Sequence, residues 1–443
     1  MKNINQFDPY RFLGEGFIPL VFLGDGDRYY PSKIGAYLLS SYEVILLNEK
    51  EQIPFSNTET DVYLVGNQYS RLLHVVAVAN TARDLAKKFG FDPMLSEIGG
   101  LGHDVGHTSM AHYDRGFVDH HEINERVIEG LDPIPDGTKF EEKIFDEHVE
   151  YESYKFKDVL DEFHVSTDDA KKSLKLPTVE IADDLCYMIM DSDISGWGAS
   201  MPVNLLFKNL RKWENGLYFS DDMILNNFYL SNHAELTKRY YNANGPRSKS
   251  AFLRRFIEAL AEEFKTSPKT IAELTWSNSL GIFIHKFRKV WTKSIESNIG
   301  MNYEQIEATI QFPSYRGVMV YRLSKDSAGN LLDMKSIENY HQRKKVEKEL
   351  SEKIGIPTVV DTTPITKPKE FNVLVKNKPI NVYDLYPELS RFKQVNLELN
   401  DFRIFAYPGT PLSNLSDEKE KKLQKISKTC GDLFGKPNQP ITI

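Results

Sequence analysis

The sequence has very little cysteine. Cys186 and Cys430 are its only two cysteines, they lie far apart, and no CxxC pair is present. This excludes a disulfide framework and a cysteine-based zinc site, and it is typical of a reducing compartment. No apolar run reaches about 18 residues, and the first residues lack the basic flank and apolar stretch of a secretory signal. We therefore expect a cytoplasmic protein without a membrane span.

The chain also lacks an excess of positive charge. It carries 55 Lys and Arg against 63 Asp and Glu, which gives a formal net charge of −8. This balance argues against extended nucleic-acid binding, because such binding requires the neutralisation of many phosphates. A local basic pocket stays open as an alternative, so we expect any anionic partner to be a small molecule.

The 443 residues, of which 41% are hydrophobic, predict a globular protein that buries a sizeable core. Apolar residues recur at three- and four-residue steps from Leu72 to Phe89, and Gly90 follows as a helix stop. Further helices are predicted over 92–101, 118–128, 178–194, 251–264, 271–287 and 290–299. The segment 240–250 (YYNANGPRSKS) has the composition of a loop.

The character of the chain changes after residue 314, where short β-branched runs alternate with Gly, Pro and Asn around a charged helix near 344–354. We predict a mainly α fold with a smaller C-terminal α+β region. The predicted divisions are an N-terminal segment that packs on the core (1–65), a helical domain that carries the site (66–314) and the C-terminal region (315–443), for assembly or regulation.

Histidine and aspartate are concentrated in two short stretches, RLLH at 71–74 and HDVGHTSMAH at 103–112. A lone histidine is usually a capping or core group with a hydrogen-bond partner. That explanation would have to hold for His103, His107 and His112 together, so we favour a metal site. Mixed nitrogen and oxygen ligands suit Mg, Mn, Fe, Co, Ni or Zn more than a thiolate-seeking ion.

The predicted helix at 178–194 carries a second set of polar residues. Asp183, Tyr187 and Asp191 are spaced four residues apart, which places them on one helix face. Tyr187 could instead be a core residue, and Asp191 competes with Asp193 as the functional carboxylate. One helix could thus offer a ligand, a ring and a second carboxylate to the same cavity.

Together these stretches resemble the HD superfamily of metal-dependent phosphohydrolases. Within it the chain is similar to the deoxynucleoside triphosphate triphosphohydrolases, the group of the bacterial dGTPases and the sterile-alpha-motif-and-HD-domain dNTPase. RLLH resembles the RxxH of that group, HDVGHTSMAH its HDxGHxxxxH, HHEINER at 120–126 its HxEQxxR-like segment, and IADDLCYMIMD at 181–191 its ADDxxYxxxD. The resemblance implies an HD-domain helical core.

The resemblance also implies roles for individual residues. A divalent metal ion would be held by His74, His103, Asp104 and Asp183, with Asp184 as the alternative to Asp183. The implied substrate contacts are Arg71 to the α-phosphate, Tyr187 to the sugar and Asp191 to the 3′-hydroxyl. His112 would act as the acid–base or in-line histidine near the scissile phosphorus. His107 and His121 would contact phosphate oxygens or support His112, and the sequence does not distinguish His120 from His121 in this role.

The function implied is metal-dependent hydrolysis of a dNTP to a deoxynucleoside and inorganic triphosphate. Two alternatives stay open: another HD phosphohydrolase, such as a nucleoside monophosphate phosphatase or a cyclic or signalling-nucleotide phosphodiesterase, and a non-catalytic nucleotide-sensing scaffold. The resemblance further implies a homo-oligomer, whether dimer, tetramer or hexamer, and it leaves open an activator nucleotide.

Overall fold

Helices dominate the computed structural model, which describes residues 31–50, 70–110, 117–147, 153–194, 207–237, 244–324, 340–361, 369–393 and 401–434. Its α-helices are α1 (Lys33–Leu39), α2 (Tyr42–Ile45), α3 (Arg71–Phe89), α4 (Pro93–Gly102), α5 (His120–Glu129), α6 (Pro135–Phe145), α7 (Phe156–Glu162), α8 (Thr167–Ser173), α9 (Pro177–Ile194), α10 (Met223–Leu236), α11 (Asn244–Glu263), α12 (Pro268–Ser277), α13 (Leu280–Arg288), α14 (Lys293–Ile299), α15 (Tyr303–Gln311), α16 (Tyr340–Ile354), α17 (Val382–Leu385) and α18 (Asp417–Phe434). The predicted mainly α fold is confirmed. Among the described residues, no helix has the length and apolarity that a bilayer crossing requires.

Two small sheets accompany the helices. Their strands are β1 (Leu210–Trp213), β2 (Gly216–Ser220), β3 (Val318–Ser324), β4 (Thr358–Asp361), β5 (Asn372–Val375), β6 (Lys378–Asn381) and β7 (Asp401–Ala406). The first sheet has the order β1–β2–β5–β6, in which β2 and β5 are parallel and the other neighbours antiparallel. The second, β3–β7–β4, is antiparallel throughout. The first sheet therefore joins the middle of the chain to its C-terminal region.

Helix α3 lies at the centre of the largest core and packs against α4 and α9. Its predicted apolar face is buried, and Gly90 ends it in the left-handed conformation at φ 69°. The contact with α4 is unusually close at Gly100, where an added Cβ would lie 2.4 Å from the Cα of Ala79. Only glycine allows this approach, which brings the end of α4 beside α3.

The C-terminal sheet forms its own core with α16 and α18. It is attached to α11 by buried polar contacts. Nε of Arg247 lies 2.5 Å from Oδ2 of Asp361, and the hydroxyl of Tyr407 donates to the carbonyl of Ser248 at 2.5 Å. Separating a buried ion pair leaves an unpaired charge and costs several kcal/mol of stability. These contacts therefore hold the smaller α+β region in place on the helical part.

The predicted loop at 240–250 is wrong from residue 244 onward, where α11 has already begun. Pro246 is tolerated because it lies in the first turn, where backbone N–H groups have no intrahelical acceptor. The basic residues Arg247 and Lys249 are buried with partners, Asp361 and the carbonyl of Phe312 respectively. Tertiary contacts therefore outweigh the loop composition of this segment.

The single helix predicted over 271–287 is also wrong, because it is divided into α12 and α13. Asn278 has an extended backbone, and the Ser279 side chain accepts a hydrogen bond from the amide of Ile282. An N-cap of this kind starts a new helix, and the break lets α13 turn away from α12.

The buried carboxyl group of Glu43 on α2 should make the stability of the helical core depend on pH. It is buried, its Oε2 accepts from the amide of Phe156 at 2.9 Å, and burial raises its pKa from 4.5 to about 7. A carboxyl whose pKa is raised on folding contributes stability that is present below about pH 4.5 and lost as the pH rises through about 7. We expect Glu43→Gln to raise the free energy of unfolding by roughly 1–3 kcal/mol at about pH 8, with little change at about pH 5.

Urea unfolding of wild type and variant at both pH values measures this difference. Glu49→Gln, at an exposed position nearby, serves as the control and should leave the free energy of unfolding unchanged at either pH. A Glu43→Gln variant with the same pH dependence as the wild type would contradict the assignment.

Candidate metal centre

The predicted metal ligands come from three helices. His74 lies in the first turn of α3, which begins at Arg71. His103 is the C-cap of α4, and Asp104 follows it directly as the chain turns. Asp183 belongs to α9. Because α3 packs against both α4 and α9, residues far apart in the sequence meet at one point.

Four distances define the site. Nε2 of His74 lies 2.9 Å from Oδ1 of Asp183 and 3.8 Å from Oδ2 of Asp104. Nε2 of His103 lies 3.5 Å from Oδ1 of Asp183 and 3.6 Å from Oδ1 of Asp104. Ligand atoms about 2.1 Å from a common ion are separated by about 3.0–3.4 Å when adjacent. One ligand atom each of His74, His103 and Asp104 also lies within 4.8 Å of the other two, so these three side chains could hold one divalent cation, with Asp183 beside the two histidines.

The orientation of His103 supports the same conclusion. Its Nδ1 lies 2.8 Å from the carbonyl oxygen of Gly100, which accepts a hydrogen bond from that nitrogen. Its Nε2 is buried and has no hydrogen-bond partner among the described residues. An imidazole held in this way presents the lone pair of Nε2, the atom that a metal takes. The residues present fit a divalent metal ion.

The charged groups of this site shift the pKa values of one another. Burial would lower the pKa of His103, but Asp104 and Asp183 raise it to about 9. Burial would raise the pKa of Asp104, but His103 and His107 hold it well below its usual range. Burial, together with Arg71, lowers the pKa of His107 well below its ordinary value. A bound cation must displace the proton of His103, so we expect metal affinity to fall as the pH is lowered through about 9.

The two adjacent carboxylates of α9 have different environments. Asp183 faces the histidines: burial by itself would raise its pKa, but His103 and His74 hold the pKa well below the usual range. Asp184 instead forms an ion pair with Lys369 from the C-terminal region, and burial raises its pKa although Lys369 opposes this. The geometry thus favours Asp183 over Asp184 as the ligand.

The turn that carries His103 and His107 is held by its neighbours. Oδ1 of Asn124 accepts from the amide of Gly106 at 2.6 Å, and Nδ2 of the same side chain donates to the carbonyl of His103. A Cβ added at Gly106 would lie 2.1 Å from the carbonyl oxygen of His120. Helix α5 is thereby held against residues 103–107, which we call the HD turn. Trp276 of α12 supports the other side by donating from Nε1 to the carbonyl of Val105 at 2.8 Å.

Lys50 is a further supporting residue that sequence reasoning missed. Its buried amine donates to the carbonyl of His107 at 2.7 Å and lies 5.4 Å from the ring centre of Trp276. Burial, with a contribution from Arg71, lowers the pKa of Lys50 to about 7. A lone lysine outside any motif gives no sequence signal of such a role.

Replacing Lys50 with methionine is expected to lower kcat about tenfold while the metal is retained, because the carbonyl of His107 loses its hydrogen-bond donor. Mutation of residues that support metal ligands typically lowers metal affinity or activity by about 10–100-fold. Phosphohydrolase assays together with elemental analysis measure both quantities. Lys212→Met is a matched control, since Lys212 donates to the carbonyl of Phe89 on the exposed surface. Equal activity of the Lys50→Met variant and the wild type would contradict this role.

A second group of imidazoles lies next to the metal ligands. Nε2 of His107 is 3.2 Å from Oδ1 of Asp104, and its ring stacks on His120 with 4.0 Å between ring centres and 15° between planes. His121, which is exposed, has its ring centre 4.0 Å from that of His120. On the opposite side of the carboxylate, Nη1 of Arg71 lies 2.5 Å from Oδ2 of Asp104.

The remaining predicted residues are only partly described. Tyr187 lies on α9 and is half-buried, one turn after Asp183. The backbone of Asp191 belongs to the same helix, but its side chain lies outside the described residues, as does the whole of His112. The roles given to Tyr187, Asp191 and His112 therefore stay predictions.

Comparison with known proteins agrees with this geometry. Residues 71–188 match the family described as HD domain, and they contain all four predicted metal ligands. The chain contains an HD domain. HD domains belong to metal-dependent phosphohydrolases, so the resemblance noted from the sequence is confirmed at the level of this domain.

Relatives and a solved structure extend the comparison. The HD domain region is 36% identical over 86 residues to a deoxyguanosinetriphosphate triphosphohydrolase-like protein from Parvibaculum lavamentivorans, covering 17% of this chain and 22% of that protein. A protein of the same name from Caldanaerobacter subterraneus subsp. tengcongensis is 28% identical over 155 residues, which cover 33% of this chain and 40% of that protein. The chain thus spans less than half the length of these relatives.

The structure of a hypothetical protein from Aquifex aeolicus superposes with a TM-score of 0.56, at 16% identity, over 93% of this chain and 99% of that one. This similarity concerns the fold alone. It extends well beyond the HD domain and into the C-terminal region.

Proposed function

We propose that this HD-domain protein hydrolyses deoxynucleoside triphosphates to a deoxynucleoside and inorganic triphosphate. The observation that carries the proposal is that Arg71, the HD turn and Asp183 of α9 meet at one site, with Tyr187 one turn further along the same helix. The metal ligands alone would fit any metal-dependent phosphohydrolase. The half-buried ring of Tyr187, one helical turn from Asp183, is suited to pack on a sugar. The names of the relatives support the same substrate class.

In this proposal His74, His103, Asp104 and Asp183 hold a divalent cation, which when bound polarises a phosphoryl oxygen and lowers the pKa of water. Arg71 is oriented by its ion pair with Asp104 and stabilises the charge that grows on the α-phosphate.

Water attacks the α-phosphorus, the bond to the 5′-oxygen breaks, and His112 delivers a proton to the departing oxygen. His107, whose Nε2 lies 3.2 Å from Oδ1 of Asp104, supports phosphate binding, and the exposed His121 contacts phosphate oxygens. Tyr187 packs on the deoxyribose, and Asp191 accepts from the 3′-hydroxyl.

The direct test is to incubate purified protein with each dNTP in the presence of Mg, Mn, Co or Ni and to separate the products by anion-exchange chromatography. Deoxynucleoside and triphosphate in equal amounts support the proposal. Monophosphate with pyrophosphate, or no reaction with any dNTP under any metal, would refute it. The Asp183→Asn variant, purified in parallel, controls for contaminating phosphatases.

The Asp191→Ala variant separates this proposal from a phosphatase or phosphodiesterase that uses the same metal ligands. Loss of the 3′-hydroxyl contact should raise KM for dNTPs and weaken the preference over 3′-deoxy analogues. A variant that hydrolyses dNTPs as the wild type does would shift the assignment to another HD phosphohydrolase.

We also propose that the protein is a cytoplasmic homo-oligomer and that a nucleotide regulates it. Light scattering with and without added nucleotides, combined with activity assays on mixed dNTPs, tests both points. If the protein had the mass of a monomer, and if its activity on each dNTP were the same alone and in a mixture of dNTPs, oligomerisation and nucleotide regulation would both be contradicted.

A further inference from the structure

A lysine of the C-terminal region forms an ion pair directly beside the metal ligand Asp183. Nζ of Lys369 donates to Oδ1 of Asp184, which follows Asp183 on α9. The side chains of Lys369 and Asp184 are only 24% and 29% exposed. Solvent and salt screen charges less at partly buried positions than on an open surface. The charges of this pair therefore act on the metal centre more strongly than those of a surface ion pair.

Carboxylates are concentrated on this part of α9. Glu180 precedes Asp184 by one helical turn, which places both side chains on the same face of the helix. Burial and the charge of Asp184 raise the pKa of Glu180, and Lys369 lowers it, so the three groups are close enough to interact. Among the described residues, Lys369 is the only lysine or arginine in an ion pair with Glu180, Asp183 or Asp184. It is the counter-ion of this group.

The backbone of Lys369 is held in place by the fold of the C-terminal region. Its carbonyl oxygen accepts from the hydroxyl of Tyr383 at 2.9 Å. Two residues later, the ring of Phe371 packs edge to face on Phe219 of β2 and Tyr229 of α10, with 4.9 and 5.1 Å between ring centres. Because both β2 and α10 contact α9, these contacts keep Lys369 beside α9.

The formal charge of the metal centre decides how strongly it attracts a polyphosphate. With a divalent cation bound, the cation and Arg71 carry three positive charges, and Asp104 and Asp183 carry two negative ones. The carboxylate of Asp184, one residue from a ligand, would cancel the remaining positive charge. Lys369 balances that carboxylate, so the site keeps a positive charge that favours anions of higher charge.

We propose that Lys369 is a positioning residue that sets the substrate class of this site: by holding and neutralising Asp184, it lets the metal centre bind a polyphosphate in preference to a single phosphate. The identity of the substrate rests on the proposed function, whereas the charge dependence of binding does not. Removing the ammonium of Lys369 and removing the charge of Asp184 should then have opposite effects. If the pair were only structural, both substitutions would break the same contact and have the same effect.

The test is isothermal titration calorimetry with inorganic triphosphate and with inorganic phosphate, at low salt and a fixed excess of Mn²⁺. We expect Lys369→Met to raise Kd for triphosphate about fivefold and Asp184→Asn to lower it by a similar factor, with the double variant close to the wild type. The changes should be smaller for phosphate, which carries less charge, and should shrink at about 0.5 M NaCl. In assays of dNTP hydrolysis the same variants should change KM and leave kcat as it is.

Two control variants separate charge from local structure. Lys369→Arg keeps the positive charge and should bind triphosphate as the wild type does. Lys393→Met breaks the ion pair of Lys393 with Glu370, the residue next to Lys369, without touching α9, and should leave Kd unchanged. If Lys393→Met raised Kd as much as Lys369→Met does, the effect would belong to the folding of the C-terminal region and the proposed role would be overturned.

Changes of Kd in the same direction in Lys369→Met and Asp184→Asn would also overturn the proposed role, as would an unchanged Kd in both. Loss of Mn from Lys369→Met, measured by elemental analysis, would overturn it too, because the lysine would then be needed to hold the ligands. Failure of the proposed function has a different signature. Opposite shifts of Kd in a protein that hydrolyses no dNTP would reject that function and keep the role of Lys369.

Discussion

Asp183→Asn is expected to remove the bound metal and to lower kcat/KM by about a thousandfold or more, because the charge stabilisation supplied by a metal is worth several kcal/mol. The side chain lies 2.9 Å from Nε2 of His74 and 3.5 Å from Nε2 of His103. Asparagine retains the size of aspartate but loses the charge that balances a divalent ion. Elemental analysis and assays of the proposed dNTP hydrolysis on the same preparation measure both effects.

Asp184→Asn is the matched control for this substitution. Asp184 directly follows Asp183 in the chain but pairs with Lys369 rather than with a histidine. The variant should keep its metal content. If Asp184→Asn lost the metal and Asp183→Asn kept it, the ligand would have to be reassigned to Asp184.

Asn124→Ala is expected to reduce both stability and activity. The substitution leaves the buried amide of Gly106 and the carbonyl of His103 without their partner, at a cost of about 1–3 kcal/mol for each group. The HD turn then loses its attachment to α5, and we expect kcat/KM to fall by about 10–100-fold, as for other residues that orient metal ligands. Urea unfolding and assays of the proposed dNTP hydrolysis check the two effects separately.

Asn302→Ala controls for the loss of an asparagine hydrogen bond. Asn302 caps α15, and its side chain accepts from the amide of Gln305. Its removal should cost about 1 kcal/mol of stability and leave activity unchanged. An Asn124→Ala variant that is destabilised to the same small extent, and is fully active, would show that the HD turn does not depend on α5.

The cluster of His and Asp side chains could be predicted from the sequence because the relevant information is local, and the role of these residues as metal ligands stays a prediction. His103 and Asp104 are adjacent at a helix end, and Asp183 shares a helix face with Tyr187 through four-residue spacing. Helix α3 was likewise predictable, since its buried positions follow the helical period and Gly90 ends it. The domain boundaries and the substrate roles are still predictions.

The supporting residues could not be predicted, because each is a single residue of a common type brought in by tertiary packing. Lys50 reaches a carbonyl 57 positions later, and Trp276 reaches one 171 positions earlier. Lys369 meets Asp184 across 185 positions. The start of α11 was missed for a similar reason, since Arg247 is buried against Asp361, 114 positions away.

The parallel pairing of β2 with β5 has a consequence for how the protein is made. Phe219 of β2 pairs with Val373 of β5, and β6 then completes the sheet. During translation the β1–β2 hairpin emerges long before its partner, so this sheet closes only after the C-terminal region has been synthesised. A fragment ending at residue 314 would keep an open strand edge, which is a template for aggregation. The predicted helical domain, residues 66–314, therefore cannot be separated from the C-terminal region without exposing this edge.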